Sequence, residues 1–157
     1  MIEKSICAAH TRMKEKHWDK IYILVDIHNT IFRPSYHKKE TYEWFEMARE
    51  ALQFMSRCDK ICLILWTSSY GEVIDEYLKV FEGSNIHFDY INENPEVENN
   101  DLGCFDNKLY FNVGIDDKFG FDAEGGDWKM VYDRLNHFFP EKTEKMDNCY
   151  KLTPANW

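Results

Sequence analysis

The apolar and polar positions along the chain alternate between two periodicities. Ile21–Val25 is a continuous apolar run rich in β-branched and aromatic residues, as expected of a strand buried on both faces. Residues 61–66 repeat that signature, and shorter runs at 87–91 and 109–115 predict a third and a fourth strand. Helical spacing appears between them. Trp44, Ala48, Ala51, Leu52 and Met55 share one face and predict a helix beginning near Thr41. Val73, Ile74, Tyr77, Leu78 and Phe81 predict a second helix ending at Gly83, with Ser69 placed to cap it. Trp128, Val131, Tyr132, Leu135 and Phe138 predict a third, capped by Asp127 and stopped by Pro140. Residues 1–19 are charged and weakly periodic, and predict a helix leading into the first strand. Residues 92–107 are acidic, rich in Asn and interrupted by Pro95 and Gly103, which predicts a long loop. The tail 141–157 is polar, with Tyr150, Leu152 and Trp157 as residues able to dock.

Strands alternating with helices predict an α/β fold: a parallel sheet joined by right-handed crossovers, with helices on both faces in three Rossmann-like layers. The 157 residues suit one domain, its core spanning about 20–138, large enough to bury about two-thirds of the unfolded surface. The formal net charge of −9 argues against a nucleic-acid or anionic-membrane partner, since no basic run offsets it. No stretch reads as a signal peptide or a membrane span. Five cysteines (Cys7, Cys58, Cys62, Cys104 and Cys149) without a C-x-x-C pair read as free thiols in a reducing compartment, which points to the cytoplasm.

Candidate chemistry gathers at strand ends. The first strand runs into Asp26, the second into Thr67-Ser68 and the fourth into Asp116-Asp117, with Lys108 ahead of the fourth. In a parallel sheet these ends share one edge, where α/β folds place their ligands. Carboxylates suit a hard cation such as Mg²⁺, and a lysine and a hydroxyl suit phosphate oxygens. Each feature alone has a plain reading: a turn acid pair, a helix cap, a solvated lysine.

In this order the residues resemble the haloacid dehalogenase-like superfamily, a large group of aspartate-nucleophile phosphatases. Its Asp-x-Asp-x-Thr motif reads Asp26-Ile27-His28-Asn29-Thr30 here. Its strand ending in Thr or Ser reads Leu65-Trp66-Thr67-Ser68, and its lysine and terminal acid pair read Lys108 and Asp116-Asp117. A phosphoreceiver domain has the reverse order, with acids after the first strand and the lysine after the last. His28 departs from the pattern, standing where the family usually has its general acid/base aspartate. An imidazole titrating in peptides near pKa 6.5 can carry that proton, or serve only as a polar residue of a binding site.

The resemblance implies a Mg²⁺-dependent phosphomonoesterase. Asp26 would be the nucleophile. Asp26, the backbone carbonyl of His28 and Asp116 would hold the metal, and Asp117 would orient a metal-bound water or Lys108. Thr67, the amide of Ser68 and Lys108 would hold the phosphoryl group. The alternative is a binding or regulatory protein on the same scaffold that has lost turnover. The gaps between motifs are too short for a cap domain, so the resemblance implies a capless member. An open site of that kind admits a phosphorylated small molecule or a phosphorylated macromolecule, or is closed by a partner subunit in a homo-oligomer. Arg33, Tyr36 and His37 are the candidate substrate contacts in the excursion after the first strand.

Overall fold

The computed structural model describes residues 1–34 and 42–140. In chain order the elements are α1 (Ile2–Lys16), β1 (Ile21–Val25), α2 (Ala48–Arg57), β2 (Ile61–Leu65), α3 (Gly71–Gly83), β3 (Tyr90–Ile91), β4 (Val113–Ile115), a short 3₁₀ turn (Asp117–Phe119) and α4 (Asp127–Phe138). All four strands are parallel, in the order β3-β2-β1-β4. This is an α/β, Rossmann-like three-layer arrangement, a parallel sheet flanked by helices. The order reverses between β1 and β4, and the carboxyl ends of those two strands flank the switch point.

Strand alternation sorts the core. Ile21, Ile23 and Val25 of β1 and Ile61, Leu63 and Leu65 of β2 join one large cluster with the buried residues of all four helices, among them Ile6, Leu52, Tyr77 and Trp128. The intervening Leu24, Cys62 and Ile64 form a smaller cluster covered by Tyr22, Tyr90, Leu109 and Phe111. Successive right-handed steps from β1 to β2 to β3 keep α2 and α3 on one face and send the return crossover, 92–112, over the other. The long helices therefore gather on one side, and an irregular segment supplies the layer on the other.

Strands β3 and β4 are shorter than the apolar runs at 87–91 and 109–115 predict, because Asx side chains complete their ladders. Asp89 donates its N–H to the Leu63 carbonyl, and its carboxylate accepts the Leu63 N–H at 2.7 Å. Asn112 does the same with Tyr22, its side-chain oxygen accepting the Tyr22 N–H at 2.8 Å. The helix expected near Thr41 begins instead at Ala48; Thr41 itself lies outside the described residues. Trp44 belongs to a different structure, an antiparallel bridge with Phe32, in which Arg33 donates its N–H to the Glu43 carbonyl and Phe45 its own to Ile31. Two expected caps also shift by one residue. Tyr70 and Gly126 occupy the N-cap positions of α3 and α4, while Ser69 bonds back to Thr67 and the Asp127 carboxylate accepts the Asp122 N–H. The N-terminal helix is present as α1.

The tail 141–157, including Cys149, lies outside the described residues; Cys7, Cys58, Cys62 and Cys104 form no disulfide among the described residues. No helix among the described residues is long and apolar enough to cross a membrane.

Replacing Asn112 by Ala leaves the part-buried Tyr22 N–H without an acceptor and is expected to cost about 1–3 kcal/mol in urea unfolding. Asn112→Asp, which keeps an acceptor oxygen, is expected to cost clearly less. Equal losses in the two variants would contradict this account of the β1–β4 edge.

Candidate functional site

The loop after β1 is a single tight turn. The Ile27 carbonyl accepts the N–H groups of Thr30, Ile31 and Phe32, and Asn29 takes a left-handed conformation at φ 54°. The turn aims Thr30 inward. Its hydroxyl is buried, donates to Asp26 Oδ2 at 3.1 Å and accepts the Asp117 N–H at 3.2 Å. Its carbonyl accepts the indole N–H of Trp128, on α4, at 2.7 Å. One residue thus ties the ends of β1 and β4 to the helix beneath them.

Between those ends three acids meet. Asp26, Asp116 and Asp117 each present a carboxylate oxygen within 4.8 Å of the others. Asn29 donates to Asp117 Oδ2 at 3.1 Å, and the Lys118 N–H donates to Asp116 Oδ1 at 2.8 Å. Burial, then the neighbouring Asp116 charge, push the Asp26 carboxyl up to about 6, although the Thr30 hydroxyl opposes them. Burial also raises Asp116, with Asp117 adding to the rise; the Lys118 N–H and the Lys118 charge pull the other way. Three oxygen donors this close, and mutually repelling, can hold a hard divalent cation.

The other predicted residues divide. Thr67 is buried at the end of β2, where Asn92 clamps its peptide: the Thr67 N–H donates to Asn92 Oδ1 and the Asn92 amide donates to the Thr67 carbonyl, both at 2.8 Å. The Thr67 hydroxyl accepts the Ser69 N–H, and Ser68 is exposed. His28 is exposed, and its Nε2 lies 2.8 Å from the hydroxyl of the buried Tyr77, with the rings edge to face. Lys108 is not brought to the acids by any contact. It is exposed and makes no hydrogen bond or ion pair among the described residues, whereas the cation acting on Asp116 is Lys118. Arg33 is engaged by Glu43 and Glu124 and lies over the Phe45 ring, so its charge is largely matched within the fold. Tyr36 and His37 lie outside the described residues.

Sequence reasoning passed over Thr30 as a linking group, Asn92 as a clamp and Tyr77 as the partner of His28. Asn92 carried a faint signal, an Asn just past a strand and able to take the left-handed conformation it adopts at φ 55°.

No family model matches the chain, and no curated protein matches it. A solved structure described as that of the conserved protein coded by locus from Bacteroides thetaiotaomicron is similar, at 26% identity and a TM-score of 0.58, covering 75% of this chain and 91% of that one. Its description names no activity, so the likeness bears on the architecture.

The raised Asp26 carboxyl has a consequence for stability. The native chain holds that proton up to about 6, whereas the unfolded chain releases it near 3.8. Metal-free stability from this group is therefore greatest below the lower value and declines as pH rises through the window. Asp26→Asn is expected to flatten the decline and to raise stability near neutral pH in chelator by about 1 kcal/mol, after allowance for solvent screening of a half-buried group. Thermal melts on both sides of the window measure it; a variant less stable than the parent near neutral pH would contradict the cost of an ionised Asp26 in this buried, acidic setting.

Proposed function

We propose that the chain is a Mg²⁺-dependent phosphomonoester hydrolase working through an aspartyl-phosphate on Asp26. The observation that carries this reading is the convergence of three carboxylates at the switch point of a parallel sheet, with Asp26 partly exposed and bonded to Thr30. Three carboxylates in such proximity favour a bound cation, and oxygen donors favour Mg²⁺ over softer metals. Asp26 and Asp116, with the His28 carbonyl, are the residues to hold it, and Asp117 stands beside them. Bound there, Mg²⁺ would neutralise charge on the carboxylates and on the phosphoryl oxygens.

In the first step an Asp26 oxygen forms a bond to phosphorus as the ester P–O bond breaks, and the leaving oxygen takes a proton from His28. In the second, water attacks the aspartyl-phosphate, its proton passes to His28, and inorganic phosphate and free Asp26 are restored. Tyr77 engages Nε2, so Nδ1 is the ring nitrogen open to that exchange. The buried Thr67 and the amide of Ser68 stand at the end of the neighbouring strand, where they would receive the phosphoryl oxygens.

A second reading is favoured by two observations, the engagement of His28 with Tyr77 and the lack of any contact between Lys108 and the acids. It is a metal- and phosphate-binding domain with turnover reduced or lost.

An aryl-phosphate assay with and without Mg²⁺ separates the readings. The enzyme reading expects Mg²⁺-dependent release of phosphate, abolished in Asp26→Asn. His28→Ala is expected to lose about 10²-fold or more in turnover, and His28→Asp to keep or raise it. Activity that survives Asp26→Asn, or none at any pH, would sink it. Under either reading, Mg²⁺ at about 100 times its Kd is expected to stabilise the chain by about 2.7 kcal/mol.

A further inference from the structure

The register of the sheet places a third residue beside the two acids of β1 and β4. Val25 pairs with Leu65 on one side and Ile115 on the other, so the next row reads Trp66, Asp26, Asp116. Pairing continues into that row: Trp66 donates its N–H to the Val25 carbonyl at 2.8 Å, and Asp26 to the Ile115 carbonyl at 2.9 Å. Val25, Leu65 and Ile115 all face the helices, and alternation turns the following row to the opposite, helix-free side. The proximity of the Asp26 and Asp116 carboxylates fits this. Neighbouring strands lie about 4.8 Å apart, so the Trp66 and Asp26 backbones are adjacent and their side chains leave the sheet on the same side.

That indole is available. Trp18, Trp44 and Trp128 each pack against another ring, whereas Trp66 is 37% exposed and has no ring contact, cation contact or side-chain hydrogen bond among the described residues. Below Asp116, the absent side chain of Gly114 makes room for the Phe119 ring, which a Cβ would approach to 2.6 Å. Phe119 is half exposed and lies parallel to Phe111. The helix-free side of the acid cluster is thus edged by flat apolar surface.

We propose that Trp66 is a specificity residue, a stacking platform for a planar aromatic or heteroaromatic group carried by the phosphate ester. Aromatic faces accept such groups without regard to their hydrogen-bonding pattern, while aliphatic esters gain little from them. The net charge of −9 disfavours a polyanion and favours a ligand with a single phosphate group. The proposal rests on the phosphate-site reading above.

Non-hydrolysable probes test it on the full chain. Phenylphosphonate and methylphosphonate are titrated calorimetrically, with Mg²⁺, into the parent, Trp66→Ala, Trp66→Leu and Trp66→Phe. The parent is expected to bind the phenyl probe about tenfold or more tighter than the methyl probe. Trp66→Ala and Trp66→Leu should lose that preference, and Trp66→Phe should keep most of it. Equal binding of the two probes by the parent, or a preference that survives Trp66→Leu, overturns the role of Trp66 and leaves the phosphate site standing. Binding of neither probe by the parent overturns both.

Discussion

Three like charges held together are the constraint on which this structure turns. Asp26, Asp116 and Asp117 would move apart in a free chain, and the fold holds them together through backbone pairing and one hydroxyl. The β1–β4 ladder fixes the first two, and Thr30 bonds Asp26 with its proton and the Asp117 amide with its lone pair. The Trp128 indole N–H holds the carbonyl of the same residue from below. Burial first, and then the neighbouring Asp116 charge, push the Asp26 carboxyl up to about 6. Folding energy drawn from the apolar core is what keeps this arrangement in place.

The position of the cluster follows from topology. The order β3-β2-β1-β4 opens a gap in the crossover pattern beside β1, and the carboxyl ends of β1 and β4 are where side chains can project without meeting a connection. Because the helices gather on one face, the row containing Asp26 emerges toward the side covered only by the 92–112 crossover. Strand pairing sets Asp26 and Asp116 side by side, with the uncharged Trp66 in the same row, and the Thr30 hydroxyl brings in Asp117.

The buried centre of the sheet was legible in the sequence because β1 and β2 are continuous apolar runs of strand length, rich in β-branched residues. The three acids were legible for the same reason, as Asp26 and Asp116 each follow directly on a strand and Asp117 comes next in the chain. The edges were not. Asp89 and Asn112 complete ladders with side-chain oxygens, a substitution invisible to hydrophobic pattern. Trp44 has helical spacing from Ala48 yet bridges to Phe32, because the backbone on either side of it is bonded to Ile31 and Arg33. The supporting bonds of the site were the least legible: Thr30 reaches Asp117 across 87 residues and Trp128 across 98, and His28 meets Tyr77 across 49. Such partners are chosen by packing, which a single sequence does not display.

The claim that these carboxylates form one cation site is tested most directly by growing crystals with Mn²⁺ and mapping its anomalous scattering. The account predicts a single strong peak bounded by Asp26, Asp116 and Asp117. A map with no peak among them, or with the three carboxylates turned apart and the manganese elsewhere, would contradict it.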